Sequence, residues 1–262
     1  MHPISSLLPA ATLFALLAGG TAQAASLQAL TSDGKLVTID SEQRRVRAVV
    51  PVKGTSGRVV AIATRPADSK LYGLTDTQQL VTIDPATGRT SMGAKLDKAL
   101  DTGARVAINF NPVVDRLRVV GVSGTNYRIN VDSGAVTADG GLKYTPASPY
   151  AGTAPRVTAA AYTNHVAGTK ETALYTIDTL LGQINLQMPP NEGVQQPKKD
   201  LSARVPNGVG FDILADSQGG NTGYMVAGGR LFMIAIADLS VSDMGPITGL
   251  PGSEVVSLAV TR

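Results

Sequence analysis

The 262-residue sequence contains no cysteine, no tryptophan and only two histidines, His2 and His165. Without cysteine there is no disulfide framework, no thiolate nucleophile and no cysteine-ligated zinc or iron–sulfur cluster. Two histidines exclude a His-rich metal site and leave little of the commonest general base. Aromatic residues make up 4% and charged residues 16%, with Lys+Arg (23) only slightly exceeding Asp+Glu (20). The basic residues are scattered, with short runs only at Arg44, Arg45 and Arg47 and at Lys198–Lys199. A nucleic-acid footprint requires a basic stripe interleaved with stacking aromatics, so no nucleic-acid partner is expected.

What the sequence does have is glycine (28), proline (15) and 43% hydrophobic residues. That combination supports a buried core and many tight turns in place of long helices. The apolar stretch Leu7–Leu17 is about 11 residues, short of the ~20 needed to span a bilayer. It runs into Gly19–Gly20 and Ala22-Gln-Ala24, small residues at the spacing signal peptidase accepts. Residues 1–24 therefore read as an export signal, although the segment before the apolar run lacks Lys and Arg. No cysteine follows it, which excludes a lipid-modified N-terminus. No later segment holds 18 consecutive apolar residues. Residues 25–262 are thus expected to form one domain without a membrane span, periplasmic or extracellular, and monomeric. In that part of the chain His165 is the sole histidine.

Internal repeats organise the rest. Leu27–Asp40 laid over Leu71–Asp84, an offset of 44 without a gap, matches at 8 of 14 positions. Val60-Ala-Ile, Pro66 and Leu71 recur as Val106-Ala-Ile, Pro112 and Leu117 at an offset of 46. A turn residue recurs as Asp40, Asp84, Asp132, Asn191 and Asp238, in steps of 44, 48, 59 and 47. A period of this length is the signature of a β-propeller or array. Within each unit, short apolar strands follow one another between Gly, Asp and Asn turns. First strands are predicted at Val59–Thr64, Val106–Phe110, Val157–Tyr162 and Val209–Ile213, with second and third strands after each. The C-terminal Val255-Val-Ser-Leu-Ala reproduces a first strand, whereas Ser26–Val52 supplies only later ones. Pairing the two fragments makes a fifth blade and removes two free sheet edges. The expected fold is all-β, a five-bladed propeller of four-stranded blades closed by its own termini.

First strands line the channel of a propeller, and loops at its rims carry ligand contacts. Polar residues expected at the channel ends are Thr64, Arg65, Asn109, Asn111, Thr163, Asn164, Asp212 and Thr261. Asn109 and Asn111, two apart, share a strand face. A glycosidase needs two carboxylates within ~5 to 10 Å, and Asp212 with Glu254 is the only pair the pattern offers. His165 reads as a solvated loop residue and has no Gly-x-Ser-x-Gly elbow beside it. The recurrent aspartates suit turn capping better than calcium, since no EF-hand pattern is present. No catalytic residue, metal site or cofactor is assigned.

The middle of the chain breaks the repeat symmetry. Arg116, Arg118 and Arg128 stand beside Asn109, Asn111, Asp115 and Asn126, and alternation puts Arg116 and Arg118 on one side of their strand. Two readings fit: an ion-paired blade face with Asp115 held by an arginine, and an anion or polar-ligand patch. The candidate binding set is Asn109, Asn111, Asp115, Arg116, Arg118, Asn126, Tyr162, Asn164 and Asp212. The segment Lys143–Arg156, with Tyr144 and Tyr150, reads as a rim loop.

The runs Asn109-Phe-Asn-Pro-Val-Val-Asp-Arg-Leu-Arg-Val-Val, Arg128-Ile-Asn-Val-Asp-Ser-Gly-Ala-Val, Ala159-Ala-Ala-Tyr-Thr-Asn, Leu174-Tyr-Thr-Ile-Asp, Met188-Pro-Pro-Asn-Glu-Gly and Gly210-Phe-Asp-Ile resemble the exported bacterial family DUF4394, a domain of unknown function. The likeness extends over about residues 27 to 260. It implies no catalytic residues, because none is established for the family. The function expected is an exported, non-catalytic binding or scaffolding module for a small polar ligand or a protein partner. The alternative is an extracytoplasmic hydrolase or lyase acting on a glycan-like substrate through a channel carboxylate such as Asp212.

Overall fold

The structure, a computed structural model, describes residues 25–201, 205–206 and 208–262. The export signal read at residues 1–24 lies outside the described residues. Five small sheets, antiparallel except for one short strand pair, form a five-bladed β-propeller. Blade 1 contains β1 (Ser26–Thr31), β2 (Lys35–Asp40) and β3 (Arg45–Pro51). Blade 2 is β4 (Val59–Thr64), β5 (Leu71–Thr75), β6 (Gln79–Ile83) and β7 (Thr90–Lys95). Blade 3 is β8 (Val106–Asn111), β9 (Arg116–Gly121), β10 (Asn126–Ile129) and β11 (Val136–Ala138). Next comes β12 (Lys143–Tyr144), then blade 4 proper: β13 (Val157–Tyr162), β14 (Leu174–Asp178), β15 (Gln183–Gln187) and β16 (Val194–Asp200). Blade 5 is β17 (Val209–Ala215), β18 (Asn221–Ala227), β19 (Arg230–Ala235) and β20 (Ser240–Pro246).

The last strand, β21 (Val255–Thr261), returns to blade 1 as its innermost member. It pairs antiparallel with β1 from Ser26↔Thr261 to Thr31↔Val255, with a bulge at Leu30/Thr31. The strands β4, β8, β13, β17 and β21 stand side by side around the channel, and β21 meets β4 to close it. All five run the same way. The end where they begin is called the front mouth below, and the end where they finish the rear mouth.

Burial falls from the axis outward, and the sequence follows it. Inner and second strands are sandwiched between neighbouring blades and read as continuous apolar runs, as in Val59–Thr64 and Leu71–Thr75. Outer strands such as β3 and β7 are largely exposed and carry polar or small residues. Each seam between blades has its own apolar cluster. Leu30, Ile62 and Val81 join blades 1 and 2, Leu74, Phe110 and Leu117 blades 2 and 3, Ile184, Phe211 and Met225 blades 4 and 5, and Leu27, Val226 and Leu231 blades 5 and 1. At about 1.5–3 kcal/mol for each large side chain buried, these seams hold the ring without disulfides. The seam between blades 3 and 4 is the exception, with an apolar cluster of only Ala107, Ala160, Tyr162 and Leu174.

A repeated turn locks the seams. Gly88 has φ of 69° and Gly134 of 77°, and their carbonyls accept the N–H of Lys53 (2.9 Å) and of Asp97 (3.0 Å) in the segment leaving the preceding blade. A Cβ at either glycine would lie against the preceding outer strand, 2.2 Å from the Pro51 oxygen or 1.9 Å from the Lys95 oxygen. Only glycine fits both the dihedral and the approach.

Two expectations need correction. The segment Lys143–Arg156 is not wholly a rim loop: β12 adds a fifth strand to blade 4, parallel to β16. Tyr144 is buried there, and its hydroxyl donates to Asp178 at 2.7 Å. In blade 3 the turn residue matching Asp84 is Asn130, not Asp132. Asn130 Oδ1 accepts the N–H of Asp132 (3.0 Å), whereas the Asp132 carboxylate pairs with Arg65.

Candidate functional site

The inner strands carry a polar chain through the centre of the ring. Asp212, on β17, has both carboxylate oxygens occupied: Oδ1 accepts from Ile213 N (2.9 Å) and Asn109 Nδ2 (2.9 Å), and Oδ2 from Val260 N (2.8 Å). Asn109 Oδ1 in turn accepts the backbone N–H of Tyr162 at 3.0 Å. These bonds tie β8, β13, β17 and β21 together across the channel. Such a buried polar network stiffens a core when every member is satisfied.

Tyr162 connects this chain to the polar seam between blades 3 and 4. Its hydroxyl accepts from Arg118 Nε at 3.2 Å. Arg118 Nη1 donates to Asn126 Oδ1 (2.8 Å) and Asp139 Oδ2 (2.6 Å), and Nη2 to Asn191 Oδ1 (2.7 Å). Arg128 makes a two-pronged pair with Asp139, both contacts at 2.8 Å. The Arg118 side chain is 1% exposed and that of Asp139 5%. Burial pushes the Asp139 carboxyl up, but hydrogen bonds from Arg128 and Arg118 outweigh it and hold the group below its ordinary value. Thus Asn109, Arg118, Asn126, Tyr162 and Asp212 belong to one network, in which their polar atoms serve one another. Asn191 and Asp139 complete it and were not singled out from the sequence, although Asn191 is one of the recurrent turn residues.

The other candidate residues sit at the rear mouth. Asn111 caps its turn by accepting from Val113 N (2.9 Å) and Val114 N (3.3 Å). Asp115, at a left-handed φ of 50°, ends that turn. Its partner is neither Arg116 nor Arg118 but Arg65 of blade 2, whose Nε donates at 2.9 Å and Nη2 at 2.5 Å. Asp132 and Asp68 converge on the same guanidinium. Arg116 turns back onto the carbonyls of Val114 and Asp115. Asn164, also left-handed at φ 53°, exchanges hydrogen bonds with Asn221 of blade 5.

His165 departs from expectation. It lies in a loop, but it is half-buried, and its Nε2 is buried without a hydrogen-bond partner among the described residues. Burial lowers its pKa from the ordinary 6.5, opposed by the charge of Asp212. For Asp212, burial raises the pKa, opposed by His165, its two backbone N–H donors and Asn109. The pairing of Asp212 with Glu254 does not form. Glu254 pairs with Arg105 at the front mouth, and along β21 it lies six residues before Val260, whose backbone N–H donates to the Asp212 carboxylate. At roughly 3.3 Å per residue that places the two carboxylates roughly 20 Å apart, outside the range of a glycosidase pair.

The recurrent aspartates act as turn caps in three blades. Asp40 accepts from Gln43 N (2.8 Å), Asp84 from Ala86 N (2.9 Å) and Asp238 from Ser240 N (2.9 Å). Among the described residues no cluster of three or more His, Asp or Glu could hold a metal ion. No helix among them is long and apolar enough to cross a membrane.

Open space lies at the rear mouth. A cleft of about 530 Å³ between blades 1 and 2 is lined by Gln28, Thr64, Lys70, Arg89, Ser91 and Thr261, among others. A second concavity of about 390 Å³ between blades 4 and 5 takes in Asn164, Thr169, Lys170, Glu171 and Asp216. Thr64, Thr261 and Asn164 were legible as channel-end residues. Lys70, Arg89 and Ser91 were not, because they come from second strands and outer turns that meet only when blades stack.

The architecture is therefore a five-bladed propeller whose centre and one seam are polar. The family model described as "Domain of unknown function (DUF4394)" matches residues 25–259, and the chain belongs to that family. No curated protein matches it. Among solved structures, a structural genomics protein of unknown function from Bacteroides thetaiotaomicron is similar with a TM-score of 0.56 at 14% identity, over 90% of this chain and 70% of that one. A protein of unknown function from Bacteroides caccae aligns with a TM-score of 0.46 at 10% identity, over 85% and 73%. An auxiliary nutrient binding protein from Bacteroides ovatus aligns with a TM-score of 0.42 at 13% identity, over 75% and 55%. The first of these likenesses concerns the fold alone.

Proposed function

We propose that residues 1–24 direct export and that residues 25–262 are one ligand-binding domain, a rigid ring that takes a small polar ligand at its rear mouth. One observation carries this reading. The polar side chains of the central chain are committed to one another, whereas a concavity of about 530 Å³ is open and lined by hydroxyl, amide and cationic groups together with the Asp84 carboxylate. Sites for small polar ligands have this form, a concave surface with a few converging hydrogen-bonding groups on a stiff scaffold. Asn164 and the second concavity place a further set of polar groups on the same face. A hydrolase working through Asp212 has less support, because that carboxylate is fully buried and both its oxygens already accept hydrogen bonds.

The test is thermal shift against a panel of glycans, peptides, anions and metals, with Lys70→Ala and Arg89→Ala as probes. Both side chains are exposed, so the fold is expected to survive their removal. A polar compound that raises the midpoint in wild type but not in these variants supports the proposal. Sugar turnover abolished by Asp212→Asn contradicts it and favours the enzyme.

A further inference from the structure

The front mouth carries charge placed there by the repeat. The residue before the inner strand is Arg58 ahead of β4, Arg105 ahead of β8 and Arg156 ahead of β13. In blade 5 that position is Gly208 and in blade 1 Glu254. A Cβ on Gly208 would stand 2.7 Å from the Glu254 carboxyl carbon, so the glycine leaves room for the glutamate. Glu254 Oε2 accepts from Arg105 Nη2 at 2.6 Å. The other arm, Arg105 Nη1, is buried with no hydrogen-bond partner among the described residues. A buried guanidinium donor without an acceptor is costly, and the natural occupant of its fork is an oxyanion.

Arg58 and Arg105 line the same cavity, of about 140 Å³, together with the polar Thr31 and Ser32 and the apolar Val59 and Val106. Both also line an adjoining space of about 230 Å³. Arg58 Nη1 donates to the Ser32 carbonyl at 2.8 Å, its one side-chain bond among the described residues. Two carboxylates stand nearby, and each already accepts a hydrogen bond: Glu254 at the cavity edge and Asp76 in the lining of the adjoining space. Glu254 holds the opposite arm of Arg105, and Asp76 Oδ1 accepts the backbone N–H of Arg58 at 2.9 Å. Arg156 is exposed and adds a third positive charge at the same repeat position. Apolar lining strengthens any charge-assisted hydrogen bond made beside it.

We infer that this cavity is an anion site that takes the carboxylate or phosphate group of a small ligand between Arg105 Nη1 and Arg58. It lies at the opposite end of the channel from the cleft proposed above and stands or falls separately from it. The two sources of the oxyanion, an organic acid and a phosphate compound, share this chemistry.

Calorimetric titration of the purified protein with inorganic phosphate, and separately with malonate, tests the inference. Saturable binding of at least one is expected, and the tighter of the two identifies the source. Arg105→Gln and Arg58→Gln are each expected to weaken it about tenfold or more, as loss of a charge-assisted donor does, while Lys70→Ala at the rear mouth leaves it unchanged. Glu254→Gln removes a competing carboxylate and no donor, so it is expected to strengthen binding severalfold even if Arg105→Gln fails to fold. Two results overturn the site: no saturable binding of either anion by wild type and Glu254→Gln, or binding undiminished by Arg58→Gln and Arg105→Gln.

Discussion

Arg118 is, among the described residues, the largest side chain buried almost completely, and it sits where the apolar packing between blades is thinnest. Four acceptors on two blades surround it, so it does for this seam what leucine and isoleucine do for the others. Replacing it with Met leaves Asn126 Oδ1, Asn191 Oδ1 and the Tyr162 hydroxyl oxygen without the donor they share, and Asp139 paired to Arg128 alone. The expected loss is about 3–5 kcal/mol by urea denaturation, as when one member of a buried ion pair is removed. Arg230→Gln breaks an exposed pair with Asp243 and is expected to cost no more than about 1 kcal/mol. Equal costs for the two variants would contradict the seam role. His165 makes a separate prediction. Its folded pKa is lowered, so the folded state resists its protonation, and its contribution is fully present above 6.5 and lost as pH falls below that value. Asp212 has a raised pKa and works in the opposite direction, which makes the comparison with His165→Gln necessary. Relative to that variant, wild type is expected to lose stability as pH falls below 6.5, and parallel curves would refute the assignment.

At the scale of the element, the blades are held in place by turns as much as by strands. The turns ending in Gly88 and Gly134 lie against the outer strand of the preceding blade with no room for a side chain. Gly88→Ala and Gly134→Ala are each expected to cost about 1–3 kcal/mol, from the left-handed dihedral and overlap with a carbonyl oxygen. Gly219→Ala, at φ 85° with nothing within 4 Å, bears only the dihedral cost, about 1 kcal/mol. Thermal denaturation of the three variants separates the two terms. Most strands were legible because three short apolar segments and a more polar fourth recur at near-constant spacing between glycine turns. β12 was not: it is two residues long, and its partner β16 lies some 50 positions away, so no local pattern announces it. The same limit applies to the site. Alternation put Arg116 and Arg118 on one side of their strand, but it does not show that Arg118 enters the seam network while Arg116 turns back onto its own turn. The partner of Asp115, however, proved to be Arg65, 50 residues back, a contact that exists only because blades 2 and 3 stack.

For the whole molecule, closure depends on a single strand contributed by the far end of the chain. Deleting residues 255–262 removes β21, the Val260 contact to Asp212 and the wall between blades 5 and 2. The truncated chain is expected to lose its cooperative thermal transition, and one that melts at the parent's midpoint would refute ring closure. Closure also explains how the protein manages without cysteine: its inner ring has no free edge, and four of five seams are apolar. Under the proposed function the centre of this ring is structural and recognition falls to a mouth. The most direct check is a ¹H–¹⁵N NMR titration of the protein with the compound that raises its thermal midpoint. The account predicts amide shifts concentrated at Thr64, Lys70, Arg89, Ser91 and Thr261, with the ligand recovered unchanged. Shifts centred on Asp212 and His165, or conversion of the ligand during the titration, would contradict it.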